Sequence, residues 1–182
     1  MSLSKEEERS LAQRLAHDRD PAAFYELYKA YTGTLYSIAL RMTGNTSDAE
    51  DFVHDAWLRA VAAIGRFRGD ASLRTWLTSI LINRCRESYR PRHETSLDDC
   101  LEIVASEREE ESAMLDQVDI DRALAEMPAR YREVFVLHDI EGFTHVEISQ
   151  LLRIETGTSK SQLARGRRWL RGALSAGERD TR

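Results

Sequence analysis

Five cations crowd one stretch near the C-terminus: Lys160, Arg165, Arg167, Arg168 and Arg171 fall between residues 158 and 174, a span without an acid. Cations spaced along a helix neutralise phosphates, and short polar side chains among them can meet base edges in a major groove. Thr158, Lys160, Ser161 and Arg165 are therefore candidates for base contact. Arg167, Arg168 and Arg171 suit the phosphate backbone, in a binding that weakens as salt rises. A second stretch, residues 66–76, interleaves Arg66, Arg68 and Arg74 with Phe67 and Trp76 around Gly69 and Asp70. Single-stranded DNA takes such a mixture, because phosphates need cations and unstacked bases need a π-face. The competing reading places these aromatics, Trp76 above all, in the core as large apolar side chains. A third cluster, Asp48, Glu50, Asp51 and Asp55, sits where a helix begins. Carboxylates there complement the helix dipole, and with Leu58 left exposed beside them they also offer a docking face for a basic partner.

No constellation points to bond chemistry. His17, His54, His93, His138 and His145 show no metal-ligand spacing among themselves or with Cys85 and Cys100, and there is no glycine-rich phosphate loop. No metal, cofactor or enzymatic activity is expected. Two widely spaced cysteines make a poor disulfide framework, so reduced thiols are expected, with a redox switch as the alternative.

The elements that must position these side chains read as helices. Three prolines and nine glycines punctuate 182 residues, and apolar residues recur every three to four positions. Ser4 with Glu7 forms a capping box for a first helix carrying Leu11 and Leu15. Asp20-Pro21 restarts a helix with the stripe Phe24, Leu27, Tyr28, Tyr31, Leu35, Ile38, broken at Gly44-Asn45. Ser47 or Asp48 caps the next, whose core face is Phe52, Val53, Ala56, Trp57, Ala60, Val61 and Ile64. A turn over residues 65–72 leads to a helix over 73–89, ended by Pro91. A later helix passes Ile120 and Leu124 to a break at Met127-Pro128, resumes with Val134, Phe135 and Leu137, and stops at Gly142. Thr144 with Glu147 is a second capping box, opening a helix with Ile148, Leu151 and Leu152 inward. After a turn over residues 153–157, a final helix carries Leu163, Leu170 and Leu174 inward and its cations outward. Residues 144–174 thus have the layout of a helix-turn-helix.

The formal net charge of −5 hides a segregation of sign. Seven arginines fall between residues 66 and 92 against Asp70 and Glu87, whereas residues 93–111 hold eight acids against Arg108 alone. This acidic stretch, lacking periodicity, reads as a linker over 93–114 between two small domains, 1–92 and 115–182. The expected fold class is all-α, two small helical domains with the helix-turn-helix in the second. Residues 1–9 are charged and there is no run of about 18 apolar residues, so neither a signal peptide nor a membrane span is expected, and the cytoplasm is the expected compartment.

In order along the chain, residues 48–60 (Asp-Ala-Glu-Asp-Phe-Val-His-Asp-Ala-Trp-Leu-Arg-Ala), 67–77, 77–90, 127–134 (Met-Pro-Ala-Arg-Tyr-Arg-Glu-Val) and 141–170 resemble the extracytoplasmic-function (ECF) group of sigma factors in the sigma-70 family. The resemblance spans roughly residues 10–174, and several motifs in order are far more specific than any one alone. It implies a region-2-like domain over 1–92, a linker, and a region-4-like domain over 115–182. It further implies that Asp51, His54, Asp55 and Leu58 grip core RNA polymerase. By the same resemblance Phe67, Arg68, Asp70, Arg74, Trp76, Asn83 and Arg86 melt and read the −10 element, with capture of a flipped base. Thr158, Lys160, Ser161, Arg165 and Arg168 would hold the −35 element. The implied partners are core polymerase, promoter DNA and an anti-sigma factor, and the linker would thread the polymerase near the RNA path or serve as a plain tether. His54 stands where the family usually has Gln, Arg153 at a turn position where Gly is frequent, Gln162 at a common Arg and Gly166 at a common Ala. Arg153 therefore asks a non-glycine residue to adopt a left-handed conformation. The alternative reading is a free-standing helix-turn-helix regulator whose first domain senses a signal or dimerises; it leaves residues 67–76 without a task.

Overall fold

The computed structural model describes residues 3–89 and 117–180; the acidic segment 93–114, Cys100 and the expected start of the second domain at 115 lie outside them. Among the described residues all regular structure is helical, and the chain divides into two compact units, Met1–Arg90 and Pro91–Arg182. None of the described helices is long and apolar enough to cross a membrane.

In the first unit, helix α1 (Lys5–Asp18) opens on a capping box. The Glu7 N–H donates to Ser4 Oγ and the Ser4 N–H to Glu7 Oε2, satisfying two donors the helix itself leaves unpaired. Asp20 caps α2 (Pro21–Thr43) by accepting the Ala22 N–H, and Pro21 stands where no donor is needed. Gly44 closes α2 at φ 68°. Helix α3 (Thr46–Ala63) is capped by Asn45, not by Ser47 or Asp48: Asn45 Oδ1 accepts the Asp48 N–H at 3.1 Å. All three residue types can cap, and the reversal at Gly44 brings Asn45 into place first. Helix α3 runs out through a single 3₁₀ turn (Ile64–Arg66), and α4 (Leu73–Tyr89) follows the loop 67–72.

Helix α2 packs on α1, α3 and α4, and α3 on α4. The α2 core line is Ala23, Leu27, Tyr31, Leu35 and Ile38, facing Phe52, Val53, Ala56, Trp57 and Ala60 of α3 and Leu73, Leu77, Leu81 and Cys85 of α4. The expected stripe on α2 is corrected at two positions. Phe24 is half-buried and Tyr28 is 41% exposed, because the buried line runs every three to four residues from Ala23 rather than from Phe24. Both rings pack instead against Trp57, Phe24 at a near-perpendicular 84° and Tyr28 tilted at 41°, with centroids at 5.7 and 5.4 Å.

In the second unit, α5 (Gln117–Glu126) and α6 (Ala129–Phe135) flank the Met127-Pro128 break, and α6 continues as a π-helical turn (Val136–Ile140) before Gly142 stops it at φ 74°. Spacing had placed an ordinary helix over this stretch. Four consecutive residues, Val134 to Leu137, are buried, so α6 is a central helix covered on several sides. Helices α7 (His145–Leu152) and α8 (Thr156–Asp180) complete the unit, with α8 packed on α5, α6 and α7.

Candidate nucleic-acid interface

Helix α7 opens on the expected box of Thr144 and Glu147. Arg153 closes it in the left-handed conformation at φ 55°, its N–H returning to Ser149 O. The turn is shorter than expected: it covers 153–155, and Gly157 lies inside the first turn of α8. Thr158, Lys160 and Ser161 therefore sit in the first two turns, where a recognition helix meets base edges.

Ser159 and Leu163 are buried on the inner face of α8 against a core that includes Ile148 and Leu152, while Leu170 and Leu174, expected inward, are half-buried. Gly166 faces α6, and a Cβ there would stand 3.4 Å from Tyr131 O, within ordinary contact. On the outer face Lys160, Ser161, Arg165, Arg168 and Arg171 are exposed, and Thr158 is half-buried. Arg167 departs from expectation. It makes a bidentate pair with Asp139, Nε and Nη2 each at 2.7 Å, so its guanidinium is committed to the protein rather than to phosphate.

That pair belongs to a chain of contacts that sequence spacing does not reveal. His138 Nδ1 lies 2.7 Å from Asp139 Oδ1, the His138 and His145 rings stack with centroids 4.5 Å apart, and His145 Nδ1 is hydrogen-bonded to the buried Ser159 Oγ at 2.9 Å. The π-helical turn, the start of α7 and the first half of α8 are thereby fixed to one another. Desolvation holds the His145 imidazole below its ordinary pKa, aided by the nearby charges of His138, Lys160 and Arg167. The hydrogen bonds from Arg167 hold Asp139 below the usual carboxylate range.

In the first unit, the loop after the 3₁₀ turn carries Phe67, half-buried, and Arg68 and Asp70, both exposed. The Phe67 ring leans on Trp76 at 5.5 Å and 51°, and Trp76 is itself half-buried, so it is neither a core side chain nor a free platform. Gly69 bends the loop at φ 77°. Ser72 caps α4, accepting the Thr75 N–H at 3.1 Å, a capping signal overlooked in the sequence. The next donor, the Leu73 N–H, reaches Glu8 Oε2 of α1 at 3.3 Å, and the other Glu8 oxygen accepts the Tyr31 hydroxyl. Burial and that bond push the Tyr31 phenol pKa up. No spacing rule could pair residues 8 and 73.

Trp76 and Asn83 lie on one face of α4, Asn83 exposed, while Arg74 and Arg86 are half-buried. On α3, Asp51, His54, Asp55 and Leu58 share a face, and Leu58 is 58% exposed. Asp55 also works inside the fold. It accepts Arg84 Nε at 2.6 Å and pairs with Arg59 at 3.3 Å, and Arg59 reaches Glu87 at 2.9 Å, lacing α3 to α4. Among the described residues no group of three or more His, Cys, Asp or Glu could hold a metal ion.

Comparison with known proteins matches both units. The sequence profile described as Sigma-70 region 2 covers residues 27–95, and that described as Sigma-70, region 4 covers 117–170. The ECF RNA polymerase sigma factor SigM of Mycobacterium tuberculosis is 34% identical over 161 residues, 86% of this chain and 79% of SigM. SigW of Bacillus subtilis, also an ECF RNA polymerase sigma factor, is 31% identical over 169 residues, 85% of this chain and 90% of SigW. Among solved structures, CnrH in complex with the cytosolic domain of CnrY superposes with a TM-score of 0.68 at 27% identity, covering 93% of this chain and 98% of CnrH. The sigma factor RpoE of Bartonella quintana, solved with the anti-sigma factor NepR, shares the fold at a TM-score of 0.68, with 24% identity over 84% of this chain and 96% of RpoE. With two sigma-70 regions in order and relatives of this identity aligned along most of their length, the chain belongs to the ECF RNA polymerase sigma factors, which direct promoter-specific transcription initiation.

Proposed function

We propose that the two units divide promoter recognition by the form of the DNA: α8 holds the duplex −35 element, and the loop 67–72 with α4 melts and reads the −10 element. Thr158, Lys160, Ser161, Arg165 and Arg168 serve the first task. Phe67, Arg68, Asp70, Arg74, Trp76, Asn83 and Arg86 serve the second. Asp51, His54 and Leu58 dock core polymerase, and Asp55 contributes both there and to the α3–α4 lacing. The observation that carries this reading is the outward face of α8, where exposed Lys160, Arg165, Arg168 and Arg171 form no ion pair among the described residues, in contrast to the committed Arg167. Held in this arrangement, they meet phosphates without first giving up a protein partner.

The protein catalyses no bond chemistry in this reading. It acts by binding open DNA better than closed, each captured base offsetting the few kcal/mol of unstacking. It works in the cytoplasm beside the polymerase. An anti-sigma factor is an expected partner, as NepR is for RpoE in the solved complex, and the exposed Leu58 and Tyr25 offer apolar contact for one.

The test is in vitro transcription from a random promoter library. Transcripts enriched for a shared pair of elements are expected only when this protein and core polymerase are both present. Lys160→Ala with Arg165→Ala should degrade selection at the upstream element alone. Equal transcription by core polymerase without the protein would refute the reading.

A further inference from the structure

The chain of contacts from His138 to Arg167 meets helix α8 at two places. In the first turn the Ser159 hydroxyl, on a fully buried residue, is bonded to His145 Nδ1 at 2.9 Å. Eight residues on, Arg167 is clamped by both oxygens of Asp139, each at 2.7 Å. At a rise of 1.5 Å per residue these ties stand about 12 Å apart along the rod. Both lead to adjacent residues of the π-helical turn, since His138 stacks on His145 and Asp139 holds Arg167. Two separated ties to one support fix both the roll and the slide of a helix, whereas a single tie leaves it free to pivot.

Roll decides what α8 shows to a groove. Thr158 and Lys160 flank Ser159, and each step along a helix turns the side chain by about 100°. Holding Ser159 inward therefore presents Thr158 and Lys160 on the two flanks of α8. A buried hydroxyl is costly without a partner, and His145 is the partner that makes a polar residue tolerable at this place.

The surroundings of His145 favour the neutral ring. It is the first residue of α7, whose N-terminus carries partial positive charge. The charged groups acting on it from the packed elements are His138 and Asp139 of the π-helical turn and Lys160 and Arg167 of α8. Asp139 is already taken by Arg167 and His138, and Glu147, on the same helix as His145, is committed to the Thr144 cap. His145 itself forms no ion pair among the described residues. A proton there sets a cation beside Lys160 and Arg167, against a second ring that can carry its own proton.

We propose that His145 and Ser159 are positioning residues for promoter recognition: with His145 neutral their bond sets the roll of α8 so that Thr158 and Lys160 meet the −35 bases, and a proton on His145 releases that setting while the unit stays folded. The inference rests on the reading that α8 holds the −35 element, and deepens it by making sequence selection, rather than phosphate affinity, sensitive to acid. Phosphate attraction alone predicts the opposite sign, because a histidine protonated near DNA adds a cation and strengthens binding. Burial and the neighbouring cations hold the ring below its ordinary value, so selection is full above about pH 6.5 and is lost as the pH falls further.

The experiment uses the full chain assembled with core polymerase, on a promoter taken from the library and on the same promoter with a scrambled −35 element. The ratio of the two affinities is followed from about pH 8 to about pH 5.5, and a melt of the protein at each pH checks that the second unit is folded. Wild type should keep its ratio to about pH 6.5 and lose about tenfold below it. Ser159→Ala removes a single oxygen and should show a loss of about that size already at pH 8, with no further fall in acid and with the salt dependence of wild type, because the outward arginines are untouched. His145→Asn offers an amide in place of Nδ1 and does not titrate, so it should keep a ratio near that of wild type and hold it throughout. A wild-type ratio that stays level or rises in acid, a Ser159→Ala ratio equal to wild type at pH 8, or a His145→Asn ratio that falls as steeply as wild type would each overturn the inference. If Lys160→Ala with Arg165→Ala still degrades −35 selection in that case, the reading of α8 survives alone. If that variant is silent as well, the reading of α8 fails too.

Discussion

The two parts proposed to face DNA are built in opposite ways. Helix α8 is a continuous rod whose inner side, Ser159 and Leu163, is buried in its own unit and whose entry is fixed by a turn of three residues. The loop 67–72 has no regular structure of its own and is held at its end by a contact borrowed from α1, Glu8 on the Leu73 N–H, and by its own Ser72 accepting the Thr75 N–H. The difference matches the two targets proposed for them. Duplex DNA has a groove of fixed width that a preformed helix can enter, while a melted strand must be caught base by base, which favours a loop with aromatic and cationic side chains on a firm base.

The sharpest way to break this contrast is to collapse one side only. Ile148 is fully buried beneath the helix-turn-helix, so Ile148→Ala should cost about 2–5 kcal/mol. Denaturant unfolding should show the loss in the second unit alone, with duplex −35 binding gone and single-stranded −10 binding retained. Ser72→Ala tests the other side. Removing the cap of α4 should cost about 1 kcal/mol and weaken single-strand capture without touching the duplex site.

Acid should also separate the units. Burial lowers the pKa of His145, so the folded state resists a proton that the unfolded chain accepts. Stability of the second unit should be flat above about pH 6.5 and decline below it, as the unfolded state gains the proton first. Asp139, also lowered, adds a further loss only in stronger acid. Unfolding curves of wild type and His145→Gln across pH 8 to 5 measure this, and the variant should lack the first decline. The smallest effect concerns Gly166, where a Cβ would meet Tyr131 at ordinary contact distance. Gly166→Ala should stabilise the second unit by about 0.5–1 kcal/mol through a stiffer unfolded chain and better helix propensity, visible as a small rise in its melting temperature.

Sequence alone made the helix-turn-helix legible because its signals are local: a capping box at Thr144 opening α7, an apolar repeat, and cations on the remaining face of α8. The left-handed Arg153 was legible too, since the turn demands that conformation whatever residue occupies it. The chain of His138, Asp139, His145, Ser159 and Arg167 was not, because it joins three elements through side-chain directions that only packing sets. Arg167 illustrates the cost: by composition it is one more phosphate-binding cation, and in the fold it is an internal partner of Asp139. The anchoring of residue 73 by residue 8 escaped for the same reason.

The central claim, that one unit reads duplex and the other reads melted DNA, is tested most directly by permanganate footprinting of thymines on a selected promoter with the protein and core polymerase. Lys160→Ala with Arg165→Ala should reduce promoter occupancy, yet leave full thymine reactivity on whatever fraction is bound. Trp76→Ala should leave initial binding nearly intact and abolish the reactivity. Equal loss of occupancy and of reactivity per bound complex in both variants would contradict the division.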